Sequence, residues 1–341
     1  MGFAEGMDIE RFEAGGDAGQ VRACYEIFRA TKAADNPDVP VMPPGVFGGW
    51  LQTGWVGDPR ETWLLADEDD VDGWYLLELP SRDNKHLAGL ELMVHPGRQR
   101  RGLGTALLRH AAGRALADGR RLLTGYACPG SAGEAFAQSA GATGGLKEIY
   151  RVLDLGTVDT GRLAGLRAEA DRAAGGYSLI GWAGLAPEDY VGQIAAISAV
   201  LYDAPHDPSV EPWAWDATRV RDAERRMRLQ GVRAHTMAVR HDASGELGGF
   251  TMVEVGPEQP EWGFQALTAV VREHRGHRLG LLLKLAMMDR LAAAEPQVTR
   301  LLTSNSATNK HMIAVNEALG YRVLGHPSRS WELAAASVVE P

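Results

Sequence analysis

Thiols are the scarcest chemistry in this chain. Of 341 residues only Cys24 and Cys128 carry one, and neither stands in CxxC or CxxH spacing, which argues against a disulfide framework and a zinc site. No metal is therefore expected, and a reducing cytoplasm is the expected compartment. Long apolar runs are also missing: nothing approaches about 18 consecutive apolar residues, so no membrane partner is expected. The start, Met1-Gly2-Phe3-Ala4, lacks the basic segment and apolar core of a secretion leader. Basic charge is outweighed, with 35 Lys and Arg against 44 Asp and Glu and a formal net charge of -9, which speaks against nucleic acid as the main partner. Two phosphate-binding signatures are absent as well, the dinucleotide pattern GxGxxG and the P-loop pattern GxxxxGK[ST].

What is present is a repeat. The length suits two domains, each large enough to bury its own core. Asp35 to Pro44 and Asp203 to Pro212 share the pattern DxPxxPxxxP at an offset of 168. Gly73 to Leu79 and Gly249 to Val255 are matching apolar strands with one acid each, Glu78 and Glu254, at an offset of 176. The same 176 separates Gln99 from Arg275, so strand and loop keep a constant spacing in both halves. The expected division is a first domain over 1–155, a connector over 156–176 and a second domain over 177–341.

Hydrophobic periodicity predicts strands near 7–13, 61–68, 72–80, 86–95, 121–127 and 147–154 in the first half, with helices between 19 and 54, over 101–118 and over 132–140. In the second half it predicts strands near 177–182, 233–241, 246–255, 261–271 and 299–304, and helices near 187–202, 278–294 and 308–319.

Two loops stand where strand gives way to helix. In the first half Leu90 to Val94 leads through His95-Pro96-Gly97-Arg98 into Gln99-Arg100-Arg101-Gly102-Leu103-Gly104-Thr105. A helix start offers unpaired N–H groups and the positive end of the dipole, a natural anion site. Gly102 and Gly104 allow a diphosphate close to the backbone, and Arg98, Arg100 and Arg101 add charge. The second-half counterpart is Arg275-Gly276-His277-Arg278-Leu279-Gly280, with Arg278 where the first loop has its leading glycine.

The pattern Q/RxxGxG/A in this setting resembles the acyl-CoA loop of the GCN5-related N-acetyltransferase (GNAT) superfamily, and with the repeat the resemblance covers nearly the whole chain. It implies an α/β (α+β) fold of two tandem domains, each a mixed, mostly antiparallel sheet flanked by helices. It implies acetyl-CoA, or another acyl-CoA, held by Gln99, Arg100, Arg101, Gly102, Leu103, Gly104 and Thr105, and by Arg275, Gly276, His277, Arg278, Leu279 and Gly280. Asn309 to Tyr321 is similar to the superfamily's closing NxxxxxxxxxxG[FY] element, whose leading Asn lies beside the pantetheine or the acceptor. Counting back 11 residues from Gly141 finds Gly130, so the first half lacks this Asn. The Tyr that many members use to protonate the departing thiolate is replaced by Ala137 and Asn316.

The expected activity is transfer of an acetyl or short acyl group from CoA to the amine of a small molecule, by direct attack in a ternary complex. A backbone N–H at Val94 or Val270 would polarise the thioester carbonyl. The C-terminal half is favoured for the chemistry because it keeps Asn309, with Glu254 as base if burial raises its pKa; a salt bridge would leave that acid structural instead. Glu91 is the base candidate if the first half is active, and Asp203 and His206 are placed to meet the acceptor. Two alternatives stand: catalysis in the N-terminal half, or a CoA-binding module without turnover. A monomer or homodimer is expected.

Overall fold

The computed structural model describes residues 8–339 apart from Trp55, Glu68 and Asp69. The start of the chain, Met1 to Met7, thus lies outside the described residues. The first half holds β1 (Asp8–Phe12), α1 (Ala18–Asp35), α2 (Pro44–Gln52), β2 (Arg60–Asp67), β3 (Asp70–Glu78), β4 (Leu87–Val94), α3 (Leu103–Ala117), β5 (Leu122–Ala127), α4 (Ala132–Ser139) and β6 (Thr143–Asp154). Then come α5 (Thr160–Ala173), β7 (Tyr177–Ala183), α6 (Glu188–Ala199), α7 (Ala217–Leu229), β8 (Arg233–His241), β9 (Leu247–Val255) and β10 (Trp262–Val270). The chain closes with α8 (Leu279–Ala294), β11 (Arg300–Ser306), α9 (Lys310–Leu319), β12 (Arg322–Val323), β13 (Ser328–Ala334) and the turn α10 (Ala336–Val339). No described helix is long and apolar enough to cross a membrane.

These elements form two compact units, and the division differs from the expected one. Unit 1 comprises Met1–Glu148, Asp207–Glu211 and Gly325–Pro341; unit 2 comprises Ile149–His206 and Pro212–Leu324. The boundary falls inside β6 rather than after it. The stretch expected as a connector is instead α5, whose Leu163, Leu166 and Ala170 pack into the unit 2 core, while Arg167 donates to the Leu285 carbonyl at 3.0 Å.

In unit 1 the sheet runs β1-β2-β3-β4-β5-β13 and then the first part of β6. Among the described residues β4 and β5 pair parallel, and β1–β2, β2–β3, β3–β4, β5–β13 and β6–β13 pair antiparallel. Because β3 is covered on both faces, it reads as a continuous apolar run: Tyr75 and Leu77 turn to α3, Trp74 and Leu76 to α1 and α2. Helix α1 starts where Asp17 accepts from the Gly19 and Gln20 N–H groups at 2.8 and 3.1 Å, and buries Cys24, Ile27 and Phe28 at helical spacing. Residues 207–211 are stitched into this unit: Asn84 exchanges two hydrogen bonds with the Glu211 backbone, at 3.1 and 2.7 Å, and Asp207 accepts from the Leu146 N–H at 2.9 Å.

Unit 2 repeats the plan with the end of β6, then β11-β10-β9-β8-β7. Its core lies between the sheet and α8, a helix apolar nearly all round because Leu279, Leu282, Leu283 and Met287 are all buried. One charged group interrupts it. Lys284 is buried with its Nζ 5.3 Å from the Tyr321 ring centre, and burial brings its ammonium down to about 7.

Both sheets open at the same place. β4 and β5 pair only over Leu87↔Leu122 to Gly89↔Thr124, and β10 and β11 only over Trp262↔Arg300 to Phe264↔Leu302. Beyond those pairs the parallel strands part. β10 also carries a register shift between Gln265 and Leu267 against β9, whereas β4 runs against β3 without one.

Candidate active site

Each splay holds a cavity. In unit 1 it measures about 480 Å³ and is lined by β4, the loop from Gln99 to Thr105, the start of α4 and the end of α1. In unit 2 it measures about 660 Å³ and is lined mainly by apolar side chains from β10, α8, α9 and the turn that follows α6.

Strand geometry aims a donor into both. The His95 N–H donates to the Asp72 carbonyl at 3.1 Å, so by alternation the Val94 N–H lies on the opposite edge, where β5 has splayed away. Val271 donates to Gly248 at 3.0 Å and leaves Val270 in the same position. Both residues line their cavities. The motif's first residue braces this edge: Gln99 Nε2 donates to the Val94 carbonyl at 3.3 Å, and Arg275 Nε to the Val270 carbonyl at 3.1 Å.

The loops share one backbone and differ in side chains. Arg100 and Gly102 have φ of 64° and 85°; their counterparts Gly276 and Arg278 have 91° and 52°. Each loop therefore has two left-handed positions, one filled by Gly and one by Arg, in opposite order. Arg278 takes the conformation of the leading glycine at a cost of about 1 kcal/mol. Gly104 starts α3 under Phe136, whose ring would lie 3.4 Å from an added Cβ, while Gly280 faces open space. Leu103, Gly104, Thr105, Leu279 and Gly280 line the cavities; Arg101 and His277 do not, and His277 packs instead on the Tyr177 ring at 5.4 Å.

The loop charges are disposed differently. Arg98 lies 3.2 Å from Asp72, but Arg100 and Arg101 make no ion pair among the described residues. In unit 2 Asp203 takes both Arg272 and Arg275, the latter at 2.6 Å, and Arg278 lies 2.9 Å from Glu169. Hydrogen bonds from Arg272 and then Arg275 hold the Asp203 carboxyl at about 2.

The acids expected to act also separate. Glu254 is nearly buried in a pair with Arg226 at 2.6 Å and does not line the unit 2 cavity. Glu78 is likewise bound to Arg60, which donates from Nε at 2.7 Å. His206 is stacked on Tyr202, ring centres 4.0 Å apart, and also lies off the cavity. Glu91 does line the unit 1 cavity, accepting from Lys32 Nζ at 2.9 Å, and Asp35 lines it beside them. Burial pushes the Asp35 carboxyl above its ordinary value, with the Lys32 charge pulling the other way. Burial, then the Asp35 charge, pushes the Cys128 thiol up.

Asn309 lines the unit 2 cavity as the cap of α9, accepting from the Met312 N–H at 3.2 Å. Its structural counterpart is Ser131, which caps α4 by accepting from the Glu134 N–H at 3.1 Å. Gly130, found by counting, is one residue off because α4 is shorter than α9. Lys32, Tyr126 and Phe136 line the first cavity without having been singled out; the i, i+3 spacing of Lys32 and Asp35 on α1 is the signal that could have found that pair.

The acetyltransferase (GNAT) family model matches residues 22–127. Among solved structures, a tandem GNAT protein from the clavulanic acid biosynthesis pathway, solved without AcCoA, superimposes with a TM-score of 0.80 at 29% identity, covering 96% of this chain and 98% of that one. A GCN5-related N-acetyltransferase from Sphaerobacter thermophilus gives 0.65 at 13% identity, covering 98% and 97%. A GCN5-related glucosamine N-acetyltransferase region of a fungal multi-domain GH3 β-N-acetylglucosaminidase gives 0.68 at 14%, covering 96% of this chain and 38% of that one. No curated protein sequence matches.

Proposed function

We propose, from the premise that this chain belongs to the acetyltransferase (GNAT) family as a tandem, two-unit member, that unit 1 takes an acyl group from acyl-CoA and transfers it to the amine of a small molecule. The observation that carries this reading is the state of the loop arginines: Arg100, which lines the cavity, and Arg101 make no ion pair among the described residues, whereas the unit 2 arginines are matched by Asp203 and Glu169. The diphosphate would rest on the N–H groups at the start of α3, against Gly102 and Gly104, with Arg100 beside it. Asn309, which favoured the C-terminal half, does not single it out, since Ser131 caps α4 in the same way.

The pantetheine would enter the splay between β4 and β5 and present its thioester to the Val94 N–H. Asp35 is the base we assign: it ends α1, where the helix dipole and burial both favour its protonated form, so it takes a proton from an ammonium more readily than an ordinary carboxylate. Glu91, held by Lys32, positions the acceptor instead. The neutral amine attacks the carbonyl carbon, the Val94 N–H stabilises the oxyanion, and collapse expels the CoA thiolate. Tyr126 lines the cavity from β5 and offers a hydroxyl to protonate it. Direct attack is favoured over an acyl-cysteine, because the Cys128 thiol is kept protonated.

Steady release of CoA thiol from acetyl-CoA with a panel of small amines tests the reading. Tight CoA binding without thioester cleavage for any amine would leave a CoA-binding module.

A further inference from the structure

The unit 2 loop is occupied from within. Asp203 ends the 3-10 turn Val200–Asp203 and lines the same cavity as Arg275, Arg278 and Gly280. Its Oδ2 accepts from Arg272 Nε at 3.0 Å and from Arg275 Nη2 at 2.6 Å, and its Oδ1 accepts from Arg272 Nη2. A carboxylate clasped by two guanidinium groups is what a phosphate would be in the same place. In unit 1 the positions matching Arg272 and Arg275, at the offset of 176, are Pro96 and Gln99, both uncharged. The acid matching Asp203 is Asp35, which lines its own cavity beside Lys32. The acid is thus present in both units, and the two arginines that clasp it occur only in unit 2.

We propose that Asp203 decides how many acyl-CoA molecules the chain carries, by acting as a resident anion that refuses a diphosphate at the unit 2 loop. The inference rests on the reading that unit 1 holds acyl-CoA. Two effects combine. A diphosphate must displace a carboxylate tethered beside its partners, at high effective concentration, and the displaced carboxylate then repels it at short range. The backbone of the loop is otherwise competent, since its two left-handed positions match those of unit 1.

Counting CoA bound per chain by native mass spectrometry, with affinities from calorimetry, tests it. The expected counts are one for the wild type, none for Gly102→Glu, two for Asp203→Asn and one for Asp203→Asn combined with Gly102→Glu. The second site should bind at least about tenfold more tightly in Asp203→Asn than in the wild type. Two sites in the wild type, or a single site in Asp203→Asn, overturns the role of Asp203. A wild type that binds no CoA, or a Gly102→Glu chain that still binds one, overturns the assignment to unit 1 instead. Hydrogen exchange on the wild type needs no variant: CoA should protect residues 96–104 and leave 272–280 unchanged, and protection of the latter sinks the proposal.

Discussion

The two loops that lead into α3 and α8 have the same backbone and differently disposed charges. Unit 1 places Arg100 and then Gly102 at its left-handed positions; unit 2 places Gly276 and then Arg278 there. Sequence comparison reads Arg278 as a lost glycine, yet the conformation that glycine serves is kept, and the second loop spends a glycine at the other position. What separates the units is which anion answers the arginines. In unit 2 Asp203 and Glu169 do so; in unit 1 Arg100 and Arg101 have no such answer among the described residues. A fold can therefore keep a loop's backbone while the charges set around it differ.

That contrast breaks most visibly under a charge reversal. Gly102→Glu puts a carboxylate into the unit 1 loop and should lower kcat/KM about 1000-fold, while Gly280→Glu changes it by less than about threefold. Steady-state kinetics on both variants check this, and the reverse ranking would move the chemistry to unit 2. Next in size is Asp35→Asn. Removing a general base should cost about 100-fold in kcat. Because a base must be unprotonated to act, the wild-type rate should fall as pH drops through the raised pKa of Asp35, and the variant should lose that limb of the profile. A variant keeping the acid limb would show that another group titrates.

A third difference lies in the cores. Lys284 stands where unit 1 has Leu108, and its pKa of about 7 lies below that of an unfolded lysine. Between those values the unfolded chain binds the proton and the folded chain does not, so stability should rise with pH above about 7 by about 1.4 kcal/mol per unit. Lys284→Met should abolish that slope in denaturant titrations; an unchanged slope would place its origin elsewhere. The smallest effect is expected from Arg278→Gly, which relieves the left-handed backbone and loses an exposed ion pair with Glu169. It should gain about 1 kcal/mol, or about 2–4 °C in melting temperature. Destabilisation would mean that the pair outweighs the strain.

The strands beside each splay and the helices that follow were legible because β3, β9, α3 and α8 are strongly apolar over lengths that suit a strand or a helix. Helix α7 was not. Its core-facing positions include Arg219, Glu224 and Arg226, buried through partners elsewhere: Glu224 accepts from the Ala186 N–H at 2.7 Å and Arg226 donates to Glu254 at 2.6 Å. Charge at buried positions erases the hydrophobic stripe that marks a helix. For the same reason Glu254 passed for a base: an acid on an apolar strand is visible in the sequence, but its arginine, 28 residues upstream, is not. Asp203 is a second case: the sequence read it as an acceptor-side acid, and its partners Arg272 and Arg275, about 70 residues downstream, were not legible.

Strand β13 has a consequence for how this protein is made and inherited. It pairs with β5 from Arg329↔Ala127 to Ala334↔Leu122, so unit 1 cannot close its sheet until residues near 330 have left the ribosome. A nascent chain of 155 residues would present the edge of β5 unpaired, an aggregation template waiting for some 175 further residues at about 5–20 per second. Once the copies had come to share strands in this way, neither could be discarded by a simple deletion. The second copy would then be retained for completing the first, whatever becomes of its own cleft.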